Sequence, residues 1–172
     1  MKENRNNQHT DLRRIAAVLS VIALYVLLVL FSGVIVGGDI GYLDTKIPGF
    51  VFFMPVILTA FSVFCGYYTK KKNDFPLYLC FLIPLLIPAV AYPLLMLLSL
   101  LIPEFVATKL TLLFYPAVVP MASLFTSLVE TFDDLGMESD LLQYILSGVL
   151  LAIGVLACPV AHRLTKATEN QE

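Results

Sequence analysis

Residues 75–103 read FPLYLCFLIPLLIPAVAYPLLMLLSLLIP, a stretch without a single charged side chain. About 20 residues of α-helix, each rising 1.5 Å, cross the hydrocarbon core of a bilayer. Residues 75–103 exceed that length and therefore predict a membrane-spanning helix. The excess length predicts that this helix tilts or bends inside the bilayer.

Four further uncharged runs share this character. The five hydrophobic segments cover residues 15–38, 47–69, 75–103, 110–129 and 141–162. The chain is 59% hydrophobic and 14% charged, whereas an ordinary soluble domain is about 25% charged because its surface faces water. The composition predicts an all-α integral membrane protein, a polytopic helical bundle with four or five full crossings. Its single transmembrane domain, 15–162, lies between an N-terminal arm, 1–14, and a short polar tail, 163–172.

Basic residues predict the orientation of the chain, because Lys and Arg in short loops favour the cytoplasmic side. They cluster in the N-terminal arm, at Lys2, Arg5, Arg13 and Arg14, and after the second segment, at Lys70, Lys71 and Lys72. Two segments separate the clusters, so both can face the cytoplasm. We expect a multi-pass protein of the cell (cytoplasmic) membrane with a cytoplasmic N-terminus. The first segment is longer than the apolar core of about 7–15 residues in a cleavable signal, so we expect a retained anchor.

The number of crossings is open at this level. Five crossings would place the tail, with Arg163 and Lys166, outside. The charge rule favours an even number, in which segment 75–103 or segment 110–129 turns back within the membrane. Hydropathy favours five, since the 20 residues of segment 110–129 suffice to span. The acidic stretch 130–140, which we interpret as a solvated turn, does not decide between them because acids contribute little to orientation.

The segments hold no catalytic constellation. Proton relays, ion-coupled transport and intramembrane proteolysis need ionisable groups at depth, and the cores of the five segments contain none. Neither His9 nor His162 has metal-ligand partners at suitable spacing, so no metal site and no cofactor are predicted. The three cysteines are interpreted as buried packing thiols. We expect neither an enzyme nor a nucleic-acid-binding protein.

Prolines recur four residues apart in both the third and the fourth segments. Each such proline frees a helix carbonyl group that needs another partner in lipid, so both segments are predicted to be kinked. A kinked and tightly packed bundle is one interpretation, and a ligand cavity between the broken helices is the other. The candidate cavity residues are Pro84, Pro88, Tyr92, Tyr115, Pro116 and Pro120.

Glycines mark candidate contact faces, since small residues let membrane helices approach closely. Gly33 and Gly37 lie four apart in the first segment, and Gly148 lies in the last. The expected partners are therefore the lipid bilayer and either another membrane protein or a second copy of the chain. The function expected is a non-catalytic partner subunit, or a protective or accessory protein, of a membrane complex. The alternative is a transport or binding component that takes an apolar or weakly polar ligand.

Overall fold

The computed structural model describes residues 2–36, 51–101, 109 and 113–165, and the regular secondary structure in these residues is entirely helical. The prediction of an all-α protein is confirmed. The five helices are α1 (Lys2–Val36), α2 (Phe53–Lys72), α3 (Phe75–Leu101), α4 (Tyr115–Asp134) and α5 (Asp140–Leu164).

Three helical stretches are long and apolar enough to cross a membrane. They are Thr10–Phe31 in α1, Phe75–Ser99 in α3 and Asp140–Leu164 in α5. At most 28% of the most apolar window in each is buried against the rest of the chain, so large apolar side chains point outward along their length. Water would not tolerate apolar surface of this extent on a monomer, whereas lipid does. These stretches correspond to the first, third and fifth predicted segments and indicate a membrane location.

The turn between α2 and α3 is only two residues long. Asn73 adopts a left-handed conformation with φ 50°, which Asn tolerates better than most residues, and its N–H donates to the carbonyl of Lys70. The Asp74 carboxylate then accepts the backbone N–H of Leu77 at 2.9 Å and so caps α3. A turn this short makes α2 and α3 antiparallel neighbours.

The turn between α4 and α5 is closed by side-chain and backbone bonds. Gly136 has φ +80°, a conformation that glycine adopts without steric cost. Gln143, in the first turn of α5, donates from Nε2 to the carbonyl of Met137 at 2.6 Å. Helices α4 and α5 are therefore also antiparallel neighbours.

The most extensive helix contact joins α2 to α5. A Cβ atom built on Gly66 of α2 would overlap the carbonyl oxygen of Cys158 in α5 and lie 2.9 Å from the backbone nitrogen of His162. One built on Gly154 of α5 would lie 2.9 Å from the side chain of Leu58 in α2. Leu58 of α2 thus contacts Gly154 of α5, and Gly66, which is later in α2, contacts the later residues Cys158 and His162 of α5. The two helices run in the same direction.

Helix α1 packs along α3. The Tyr25 hydroxyl of α1 donates to the Leu85 carbonyl of α3 at 2.9 Å. Buried residues recur in both helices at intervals of four, four and three. They are Ala17, Val21, Tyr25 and Leu28 in α1, and Leu77, Phe81, Leu85 and Pro88 in α3. The residues in contact, Tyr25 and Leu85, are the third of each set. The two patterns coincide when α1 and α3 are placed in the same direction.

These directions collect opposite charges at opposite ends of the bundle. One end, called here the basic end, contains the α2–α3 turn, the end of α5 and the start of the apolar part of α1. Its basic side chains are Arg13, Arg14, Lys70, Lys71, Lys72 and Arg163. The other end, the acidic end, contains the α4–α5 turn, and the stretch 130–140 around this turn has no Lys or Arg. Its acidic side chains are Glu130, Asp133, Asp134, Glu138 and Asp140.

Helix α3 continues through Pro84, Pro88 and Pro93, and α4 continues through Pro120. Neither helix is interrupted at these positions. The bending of both segments stays a prediction from the missing hydrogen-bond donors.

Candidate functional site

The predicted cavity residues belong to α3 and α4, two helices that pack against each other. Pro88 is buried, and Pro84, Tyr92 and Pro120 are half-buried. Tyr115 and Pro116 lie in the first turn of α4, but the surroundings of their side chains lie outside the described part of the chain. The sequence pattern therefore identified two segments that do pack together.

Aromatic rings occupy the junction of α3, α4 and α5. The Tyr92 ring lies 5.6 Å from the Phe125 ring of α4, between centroids, and the Phe125 ring stacks on Tyr144 of α5 at 5.9 Å. Ring pairs at such distances attract one another in addition to the apolar area that they bury. The part of Tyr92 that faces the bundle is thus packed against another side chain.

A neighbouring helix supplies a hydrogen bond to the proline-containing part of α3. Pro88 has no N–H to offer the carbonyl of Pro84, and the next carbonyl in the chain, that of Leu85, accepts the hydroxyl of Tyr25. Backbone groups in lipid need partners inside the protein. The Tyr25 hydroxyl of α1 supplies such a bond next to the carbonyl that Pro88 leaves free, and the sequence did not single out this tyrosine.

The glycines predicted for helix packing have different surroundings. Gly33 lies in the last part of α1, and Gly37 lies outside the described residues. A Cβ atom built on Gly148 would have no atom of the described residues within 4 Å, so Gly148 makes no close contact with the described helices. Close contact occurs instead at Gly66 and Gly154.

A second cluster of polar side chains lies at the basic end, where α2, α3 and α5 meet. The Thr69 Oγ1 of α2 lies 3.2 Å from the His162 Nδ1 of α5. The ring of Tyr78, in the first turns of α3, stacks on the imidazole of His162 with centroids 4.1 Å apart. Three helix ends are thereby joined through one histidine.

The donor and acceptor roles in these hydrogen bonds bear on whether Thr69 could act as a nucleophile. The Thr69 hydroxyl donates its single proton to a carbonyl of its own helix, with Cys65 at 2.8 Å and Gly66 at 3.1 Å. With that proton engaged, Thr69 accepts from His162 in the tautomer whose Nδ1 carries a proton. A nucleophile activated by a base has the opposite arrangement, with the hydroxyl donating to the imidazole. Thr69 is also fully buried, and the cluster joins the ends of α2, α3 and α5.

The seam between α2 and α5 is lined by small and weakly polar side chains. Cys65 and Cys158 are free thiols and fully buried, as the packing interpretation predicts, and Cys80 is half-buried. The hydroxyls of Ser62 and Ser147 are buried without a hydrogen-bond partner in the described structure. No group of three or more His, Cys, Asp or Glu side chains that could hold a metal occurs among the residues that the structure describes.

Sequence reasoning missed the pairing of Thr69 with His162. Each lies at the end of an apolar segment and is followed by basic residues, which is a signal for a membrane interface and not for a contact. Only the parallel arrangement of α2 and α5 brings the two ends together. Comparisons with family models, with curated proteins and with solved structures gave no match.

Proposed function

We propose that this chain is a small multi-pass protein of the cytoplasmic membrane that acts as a non-catalytic partner subunit, or protective protein, of a membrane complex. The observation that carries the proposal is that three interior polar side chains form hydrogen bonds within the chain. The hydroxyls of Tyr25 and Thr69 and the amide of Gln143 are bonded within the chain. Such side chains hold helices in place, and the outward faces that remain are apolar.

The proposed topology has four full crossings, by α1, α2, α3 and α5, with both termini in the cytoplasm. Its support is the parallel arrangement of α2 and α5, which requires the chain to reach the basic end twice. Nine of the 11 Lys and Arg residues would then lie on the cytoplasmic side, as the charge rule favours. Lys46 and Lys109 are the two that would lie outside.

The starting depth of α4 supports an even number of crossings. Tyr92 lies about 25 Å along α3 and Phe125 about 15 Å along α4, at 1.5 Å per residue, and their rings are in contact. Helix α4 runs in the same direction as α3, because both are antiparallel to α5. Its first residue is therefore level with a point about 10 Å along α3, within the thickness of the membrane. We propose that residues 102–134 enter and leave at the acidic end.

Co-purification tests the proposed function. The tagged chain is isolated in a mild detergent from its own membrane, and bound proteins and small molecules are quantified by mass spectrometry. We expect one membrane protein at a fixed molar ratio that persists in a second detergent. The matched control is Gly66→Leu, which should disrupt the α2–α5 seam and release the partner. A chain that elutes without any protein but retains a small molecule would contradict the proposal and favour the transport or binding alternative.

A further inference from the structure

We propose that the basic end of the bundle binds the phosphate headgroup of an anionic phospholipid, between the ends of α2 and α5. The inference rests on the proposed membrane location but not on the proposed protein partner. Its residues are Lys70, Lys71 and Lys72 of α2 with His162 and Arg163 of α5, called here the headgroup site.

The geometry of the two helix ends assembles the headgroup site. The contact between Thr69 and His162 fixes the last turns of α2 and α5 side by side. Lys70 follows Thr69 directly and is close enough to His162 for its charge to act on the imidazole. Arg163 is likewise close enough to act electrostatically on Tyr78. Lys70 and Arg163, which are 93 residues apart in the sequence, thus share one patch of surface.

The described part of the chain leaves the basic end with an excess of positive charge. Two acidic side chains lie there against the six basic side chains named above. Asp11 lies 3.6 Å from Arg14, within α1, and Asp74 accepts the N–H of Leu77. Neither Lys70 nor Arg163 forms an ion pair with any residue that the structure describes. Like charges held together repel, so binding an anion there is favourable.

The surroundings of the patch favour a lipid over a soluble anion. Tyr67 and Tyr68 precede the lysines, separated from them only by Thr69, and such rings prefer the headgroup level. The Lys71 ammonium lies over the Tyr67 ring at 6.0 Å, which keeps this side chain beside the membrane surface. Below it, towards the membrane centre, Phe64 of α2 and Val160 of α5 are exposed and apolar. A phosphodiester can therefore bind the bases while its acyl chains lie along these side chains.

Arg163 suits the phosphate of such a headgroup. Its guanidinium can donate two parallel hydrogen bonds to two phosphate oxygens, while each lysine contributes a point charge. Clusters of Lys and Arg at the cytoplasmic end of membrane helices attract anionic lipids by about a fivefold increase in affinity for each charge.

Lipid titration of the purified full-length chain tests the inference. Phosphatidylglycerol and phosphatidylcholine with identical acyl chains are added separately to the protein in detergent micelles, and native mass spectrometry counts the bound lipids. We expect phosphatidylglycerol to bind about tenfold more tightly than phosphatidylcholine, and we expect high salt to reduce the difference. A third arm adds millimolar inorganic phosphate to the protein loaded with phosphatidylglycerol.

Matched variants separate charge from folding. Replacing either Lys70 or Arg163 with Gln should weaken phosphatidylglycerol binding up to about fivefold. Replacing both should abolish the preference over phosphatidylcholine, whereas Lys70→Arg should retain it. Lys109→Gln removes the same charge outside the headgroup site and should leave the affinity unchanged. Circular dichroism of each variant checks that the helices are intact.

Three results would overturn the inference: equal affinity of the folded wild-type chain for the two lipids, an equal loss in Lys109→Gln, or full displacement of the lipid by inorganic phosphate. The last would assign the patch to a soluble phosphate. Selective lipid binding by a chain that has no protein partner would leave this inference standing and contradict only the proposed function.

Discussion

At the scale of single residues, two contacts set how the helices approach one another. Gly66 lets the backbone of α2 touch that of α5 beside Cys158. Tyr25 joins α1 to α3 through the Leu85 carbonyl. The first contact depends on the absence of a side chain and the second on one hydroxyl, so each can be tested with a small substitution.

Gly66→Ala is expected to destabilise the protein by about 1–3 kcal/mol, because a methyl group there overlaps the backbone of α5 and forces the helices apart. The measurement is equilibrium unfolding in mixed micelles with increasing SDS, followed by circular dichroism. Gly148→Ala is the matched control, since its methyl group would have no atom within 4 Å. Equal stability of the two variants would refute the close contact at Gly66.

Tyr25→Phe should lower the free energy of unfolding by about 1 kcal/mol, the magnitude of a hydrogen bond between membrane helices. The ring stays and only the donor to the Leu85 carbonyl is lost. Tyr144→Phe removes the same atom from a ring that is 51% exposed and should change stability less. If both substitutions had the same effect in the SDS titration, the Tyr25 bond would not contribute to stability.

At the scale of helices, the direction of α5 relative to α2 determines the architecture. Two short turns pair α2 with α3 and α4 with α5 as antiparallel neighbours. The seam from Gly154 to His162 then aligns α5 parallel to α2. The consequence is that α3 and α4 also run in the same direction, although they are consecutive in the chain.

Cross-linking tests this alignment. In a chain whose three native cysteines are replaced by Ala, Thr69→Cys with His162→Cys should form a disulfide on mild oxidation, since the wild-type side chains are 3.2 Å apart. Mass spectrometry of the digested protein identifies the linked peptides. The control pair is Thr69→Cys with Gln143→Cys, at the other end of α5, which should remain reduced. A disulfide in the control pair alone would reverse the direction of α5.

At the scale of the whole molecule, the bundle has a basic end and an acidic end, and lipid-exposed apolar faces lie between them. In the proposed topology, the charge difference between the ends orients the molecule relative to the membrane. The packing of α5 against α2 places the end of α5 and the α2–α3 turn on the same side. The proposed cytoplasmic position of the C-terminus rests on this packing and not on the few charges in the tail.

Reporter fusions test the topology in intact cells. Fusions after residues 12, 72 and 168 should all report the cytoplasm, and a fusion inserted at residue 137, in the α4–α5 turn, should report the outside. The fusion after residue 72 serves as the internal reference for the cytoplasmic side. An external signal at residue 168 would contradict the four-crossing topology and restore five crossings.

The sequence by itself determined the class of the protein. Uncharged runs longer than a bilayer crossing dictate helices, because lipid offers no hydrogen-bond partner to an unpaired backbone. The described part of the chain confirms this, with α1, α3 and α5 apolar enough to cross. The proline pattern also identified two segments that pack together. At their contact, the Tyr92 ring that was predicted to line a cavity packs against Phe125.

The tertiary structure decided what depends on contacts between distant parts of the chain. Hydropathy is a local property, so it could not choose between Gly148, which has open space beside it, and Gly66, which lies against the backbone of another helix. Nor could it show that Thr69 meets His162. Both follow from the parallel packing of α2 against α5, because only the relative direction and register of two helices determine which of their residues touch.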